Sequence, residues 1–151
     1  MLRFVAASIL ETARPSRKWV LMNIKIENIR VLITGGLGVV GSAIARRLLQ
    51  EGVREVHLFD LKNEIPELLE NIPGKDRLRI FTGDIRDKNQ IDEAVKGCDY
   101  VFHQAALRVT RCAKEPRLAH EILVDGTFNV VEACIENGVK KLIQASSAVV
   151  Y

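Results

Sequence analysis

The sequence predicts an α/β protein built on a doubly wound parallel sheet. Three observations predict it. Five short apolar runs recur along the chain, and stretches with helical periodicity separate them. A glycine-rich segment, Thr34-Gly35-Gly36-Leu37-Gly38-Val39-Val40-Gly41, joins the first apolar run to the first helical stretch. Short apolar strands alternating with helices imply a parallel sheet covered on both faces. The expected strand order is 3-2-1-4-5, with a ligand at the switch point between strands 1 and 4.

The first strand is expected over Ile29 to Ile33. Its helix, Gly38 to Glu51, carries Ile44, Ala45, Leu48 and Leu49 at three- and four-residue spacing. Glu55 to Asp60 makes the second strand. A polar, weakly helical segment follows, punctuated by Pro66 and Pro73, and Leu78 to Thr82 makes the third. Asp87-Lys88-Asn89-Gln90 reads as a capping arrangement, an acid at the N-cap with Gln three residues on. It opens a helix carrying Ile91, Ala94 and Val95. Tyr100-Val101-Phe102 is the fourth strand. Pro116 suits the first turn of a long helix, and Asn137-Gly138 suits its end. Leu142-Ile143 is the fifth strand, running into Ala145-Ser146-Ser147, and the sheet is expected to stop there.

Strand, glycine turn, helix is the context in which a glycine run signals phosphate binding. The glycines let the backbone turn sharply and let a pyrophosphate approach. The helix start offers unpaired N–H groups and the positive end of a dipole. The second strand closes on Asp60, about 20 residues or a little more past the glycines, where the fingerprint wants an acid. A carboxylate there can accept hydrogen bonds from both ribose hydroxyls of NAD and would repel the 2′-phosphate of NADP. The pattern predicts a Rossmann-type domain with NAD as its cofactor. Gly83-Asp84-Ile85 follows the third strand; Asp84 could accept from the adenine amino group or merely cap a turn. His103-Gln104-Ala105-Ala106 ends the fourth strand, where small residues let a flat cofactor pass. His103 reads equally as a packed core histidine or a catalyst. Gly126, inside the expected long helix, could permit close helix–sheet packing.

The chain is long enough for one domain with a real core. A formal charge of +3 over 151 residues is small and dispersed. No basic patch interleaves with aromatics, so nucleic acid is not an expected partner. Cys98, Cys112 and Cys134 lack metal-ligand spacing and read as buried or free thiols in a reducing cytosol, so no metal is expected. Residues 1–21 carry Arg3, Arg14, Arg17 and Lys18 against the single acid Glu11. Their apolar run, Phe4 to Leu10, is too short and broken for a membrane span. They read as an extension outside the fold, ahead of a dinucleotide-binding domain over 22–151, and the chain as cytoplasmic.

These motifs, TGGLGVVG, the Asp60 strand end, GDI, HQAA, VDGTFNVVEA and ASSAVVY, resemble in their order the extended short-chain dehydrogenase/reductases, specifically the NAD-dependent sugar-nucleotide epimerase/dehydratase group. The resemblance covers Ile29 to Tyr151 and implies the N-terminal, NAD-binding part of such an enzyme. It implies that Gly35, Gly38 and Gly41 form the pyrophosphate loop, with Val39 and Val40 against the cofactor. Asp60 would take the adenosine ribose, and Asp84 and Ile85 the adenine. Gln104, Ala105, Ala106 and Leu107 would line the middle of the cofactor. Ser147 would be the active-site hydroxyl that hydrogen-bonds the reacting oxygen of a nucleotide-sugar substrate.

Two departures from the family pattern stand out. Leu123 occupies a position where the family often has Asn. The catalytic Tyr-x-x-x-Lys, which follows the serine motif in the family, does not occur in residues 1–151, nor does the substrate-binding part. The expectation is therefore a cofactor-binding portion without turnover of its own, whose open sheet edge favours association with a partner or as a homodimer. The alternatives are a non-catalytic NAD-binding module and a 3β-hydroxysteroid dehydrogenase-like oxidoreductase, which shares the same N-terminal motifs.

Overall fold

A computed structural model describes residues 25–147. The extension at 1–21 and the final residues of the serine motif, 148–151, lie outside the described residues. Five parallel strands form one sheet: β1 (Arg30–Thr34), β2 (Glu55–Asp60), β3 (Leu78–Thr82), β4 (Tyr100–His103) and β5 (Lys141–Gln144). Their order is β3-β2-β1-β4-β5, as the sequence predicts. The central register places Ile33 beside Leu58 on one side and Phe102 on the other.

The strands are apolar on both faces because both faces are covered. Leu32, Phe59 and Val101 point into one core, where they meet Ile91, Ala94 and Val95 of α3 (Lys88–Val95) and Val130 and Ala133 of α6 (Thr127–Glu136). Val31, Ile33, Val56 and Leu58 point the other way. They meet Ala45 and Leu49 of α1 (Val39–Gln50) and Leu69 of α2 (Glu67–Glu70). Alternation along each strand divides its side chains between the two cores. Asp87 caps α3 as its sequence suggests, accepting from the N–H groups of Asn89 and Gln90.

Three local departures from the sequence expectation have physical reasons. The first strand begins and ends one residue later, because Thr34 pairs with His103 at the end of the β1–β4 ladder. A short helix, α4 (Val109–Lys114), occupies a stretch read as connection; its turn is closed by Cys112 N–H donating to the Arg108 carbonyl at 2.9 Å. The long helix expected from Pro116 is not uniform. It runs as α5 (Pro116–His120), a π-helical stretch Glu121–Gly126, and α6. The widening ends where Gly126 packs on Ile85; a Cβ on Gly126 would lie 2.8 Å from the Ile85 side chain. Asn129 secures the contact by donating to the carbonyls of Ile85 and Arg86 at 2.9 and 3.1 Å.

Candidate functional site

The carboxyl ends of β1, β2, β3 and β4 open onto one crevice of about 370 Å³. It lies at the switch point, where β1 is followed by β2 on one side and flanked by β4 on the other. Gly35 makes the turn out of β1 with φ of +65°, a conformation in which a side chain would be strained. Gly38 N–H then donates to the Gly35 carbonyl at 3.1 Å, and Ser42 N–H to the Gly38 carbonyl at 2.9 Å. Gly38 sits at the N-cap of α1 and no side chain caps the helix. The first helical N–H groups therefore face the crevice side without a protein substitute for an anion.

Asp60 ends β2 and is turned toward the glycines. One carboxylate oxygen accepts the Leu37 N–H at 3.0 Å, and the other accepts the Lys62 N–H at 3.4 Å. The same carboxylate that would hold a ribose thus braces the glycine turn across 23 residues of sequence. Of the residues expected at the site, Gly35, Gly38, Asp60, Asp84, Ile85, Gln104, Ala105, Ala106 and Leu107 line this one crevice. Gly41 is buried one turn inside α1, against Gly35. Val39 and Val40 are exposed at the helix start. Ser147 lies just past β5, on the same carboxyl edge of the sheet.

Asp84 closes a local turn while lining the crevice. It faces the crevice, yet its carboxylate is engaged by Arg86, whose guanidinium donates at 2.6 and 2.9 Å and whose backbone N–H donates at 2.9 Å. Those bonds hold the Asp84 carboxyl below the ordinary carboxylate range. Arg86 in turn reaches Glu121 at 3.1 Å.

The crevice also contains residues that the motifs did not flag. Phe59 forms part of its floor, and Lys62, Arg108 and Arg111 bring positive charge to its walls. Arg108 and Arg111 follow HQAAL directly, so a pair of cations next to an expected pyrophosphate was the available signal. The three cysteines are free. Burial pushes the Cys98 thiol up to about 12 and Cys134 to about 11, so both stay neutral near neutral pH and neither is poised as a nucleophile. Among the described residues no cluster of three or more His, Cys, Asp or Glu is placed to hold a metal. Among them, too, no helix is long and apolar enough to cross a membrane.

His103 is a buried bridge rather than an open catalyst. It is 3% exposed, and burial lowers its pKa from 6.5. A histidine kept neutral in the fold but free to protonate when unfolded contributes stability above pH 6.5. That contribution is lost as pH falls through the lowered native value. We expect the wild-type melting temperature to drop more steeply on acidification than that of His103→Gln. Parallel slopes in calorimetric melts across that window would refute this.

The five-stranded parallel sheet, the glycine turn and the helix start define a Rossmann-type fold. The model of the 3-beta hydroxysteroid dehydrogenase/isomerase family matches residues 32–151. The chain belongs to that family, within the extended short-chain dehydrogenase/reductases. It is 37% identical over 122 residues to a UDP-glucose 4-epimerase of Rickettsia rickettsii (strain Sheila Smith), covering 78% of this chain and 36% of that protein. Among solved structures it is similar to UDP-glucose-4-epimerase from Stenotrophomonas maltophila with bound NAD and formylated UDP-arabinopyranose. That similarity has a TM-score of 0.72 at 31% identity and covers 82% of this chain and 38% of that one. The UDP-N-acetylglucosamine 4-epimerase from Methanobrevibacter ruminantium M1 gives the same TM-score of 0.72 at 34% identity, covering 82% and 39%. The chain thus spans little more than a third of the length of these relatives.

Proposed function

We propose that this chain binds NAD(H) in the crevice and is the cofactor-binding portion of a nucleotide-sugar epimerase or dehydratase. The observation that carries the cofactor reading is Asp60. Its carboxylate stands at the end of β2, tied to the glycine turn through Leu37, where it can accept from the ribose hydroxyls. The residues present fit the group: a glycine cradle, an uncapped helix start for the pyrophosphate, and an apolar wall of Ala105, Ala106 and Leu107. When bound, NAD supplies a hydride acceptor. The chain's own residues hold it: Gly35, Gly38 and Gly41 keep the turn tight, with Val39 and Val40 beside the cofactor. Asp60 orients the adenosine end, and Asp84 and Ile85 flank the adenine. Gln104 sits with the alanines along the middle. Ser147 is read as the hydroxyl that aligns the substrate's reacting oxygen.

The substrate class rests on relatives named for UDP-sugars. A second reading, oxidoreduction of a sterol-type alcohol, is favoured by the family whose model matches. Because residues 1–151 contain no Tyr-x-x-x-Lys, we read them as a binding unit without turnover. A cytoplasmic location and self-association as a homodimer complete the proposal. Light scattering at several concentrations tests the association.

The cofactor test is a titration of NADH and NADPH by calorimetry. We expect NADH to bind at least about tenfold more tightly, since a 2′-phosphate would sit against the Asp60 carboxylate at a cost of more than about 1.4 kcal/mol. Asp60→Ala should erase that preference. Equal or tighter NADPH binding by the wild-type chain, or an unchanged preference in the variant, would overturn the reading.

A further inference from the structure

The cofactor reading leaves several buried titratable groups without a task, and His103 is the one nearest the crevice wall. His103 ends β4 beneath the crevice wall and does not itself line the crevice. Its Nδ1 lies 2.6 Å from Thr34 Oγ1 and its Nε2 lies 3.0 Å from Thr127 Oγ1. Those hydroxyls belong to the end of β1 and the start of α6. The imidazole therefore ties the central strand to the helix that covers it.

Thr34 Oγ1 accepts the Ala105 N–H at 3.3 Å and keeps a second lone pair and its own hydrogen for Nδ1. With the ring neutral and its proton on Nε2, the Thr34 hydroxyl donates to Nδ1 and Nε2–H donates to Thr127. Protonation of Nδ1 reverses the first bond: Thr34 Oγ1 then accepts from both Nδ1–H and the Ala105 N–H, and its own hydrogen must turn elsewhere. Burial disfavours the imidazolium and is the cause of the lowered pKa. The polar groups facing the ring are Thr34 from β1 and Thr127 from α6, with Gln144 beside it on the β5 ladder. None of the three titrates.

The chain of bonds ends on the crevice wall. Besides Ala105, the Gln104 N–H donates to the Thr34 carbonyl at 3.1 Å. Backbone atoms of Ala105 lie 2.9 Å from where a Cβ on Gly35 would sit. The Gln104–Ala105 wall thus rests directly on the glycine turn, and whatever orients Thr34 sets the spacing of both. We propose that His103, as a neutral bridge between Thr34 and Thr127, is a positioning residue that holds this wall in register with the glycine turn and so sets dinucleotide affinity. The proposal rests on reading the crevice as a dinucleotide site.

The test compares NADH with AMP, which reaches only the adenosine end, on the full chain and two variants. His103→Phe deletes both bonds and keeps a ring. Thr127→Val deletes one bond at nearly constant volume. Calorimetry at a temperature where circular dichroism shows each variant folded should give NADH affinities down about tenfold and about threefold, with AMP unchanged to within about twofold. Wild-type NADH affinity should also fall relative to AMP as the pH is taken below 6.5 and through the lowered His103 value, and His103→Phe should abolish that fall. If His103→Phe does not fold, Thr127→Val decides. Unchanged NADH affinity per folded molecule, an equal loss of AMP, or an identical pH profile in His103→Phe would overturn the proposal. A wild-type chain that binds neither NADH nor AMP would overturn the cofactor reading, and this inference with it.

Discussion

Replacing Gly41 by alanine should weaken NADH binding on the order of a hundredfold, equivalent to about 2.7 kcal/mol. Gly41 lies one turn into α1, and the backbone of the glycine turn folds back against it. A Cβ there would run into the Gly35 carbonyl oxygen and would stand 2.8 Å from Gly36 Cα. Both obstacles are main chain, so no flexible side chain can move aside. The helix start must shift away from the turn, and with it the N–H groups that face the pyrophosphate. Forcing an extra methyl into a packed site costs about 1–3 kcal/mol in its own right. The variant should therefore lose stability in urea as well as affinity. Gly52→Ala is a useful contrast, since its added Cβ would meet nothing within 4 Å. Its φ of +86° strains the alanine, so it should cost stability but leave NADH affinity alone. Wild-type affinity in Gly41→Ala would remove the glycine turn from the site.

The largest loss of stability should follow Phe59→Ala. Phe59 is 2% exposed in the middle of the sheet and belongs to the core that contains Leu32, Ile85 and Ile91. Its ring also supports the bend after β3, where a Cβ on Gly83 would lie 2.7 Å from the Phe59 ring. Removing a buried ring deletes its transfer energy and leaves a cavity, together about 3–5 kcal/mol. That is a large part of the about 5–15 kcal/mol by which an ordinary domain is stable. Phe59→Leu should recover more than half of the loss, because it restores most of the volume. Urea denaturation followed by circular dichroism measures both. A loss under about 1 kcal/mol in Phe59→Ala would mean the site collapses around the gap and the ring is not the floor of the crevice.

The sheet was legible in the chain because it is written in local patterns. β2 and β3 appear at the bounds expected, and the strand order follows from alternation with helices and from the glycine turn. The cap of Asp87 on α3 was readable for the same reason: its partners are two and three residues away. The long helix was half legible. Pro116 and Asn137-Gly138 mark its ends, but the π-helical stretch between Glu121 and Gly126 answers to a contact with Ile85, some 40 residues earlier in the chain. No periodicity of the helix itself encodes that. α4 was missed because its six residues carry too little repeat to stand out.

At the crevice, residue types and spacing pointed to the glycine turn, Asp60, Asp84 and Gln104–Ala106, the family resemblance added Ile85 and Leu107, and the fold brings these onto one crevice. Each of them sits at or within a few residues after a strand end, and strand ends are what apolar runs delimit. Local patterning thereby accounts for the sheet, its order and the edge at which a ligand would meet it. What each side chain does there depends on contacts across the fold. The tertiary structure turned Asp60 onto Leu37, brought Arg86 to Glu121, and set His103 between two threonines from other elements rather than in the open. Periodicity records which face of an element is buried, because the hydrophobic effect acts on area without direction. A hydrogen bond needs its partner within about 3 Å and in line. Partners 23 or 69 residues apart in the chain meet only once the sheet has been assembled.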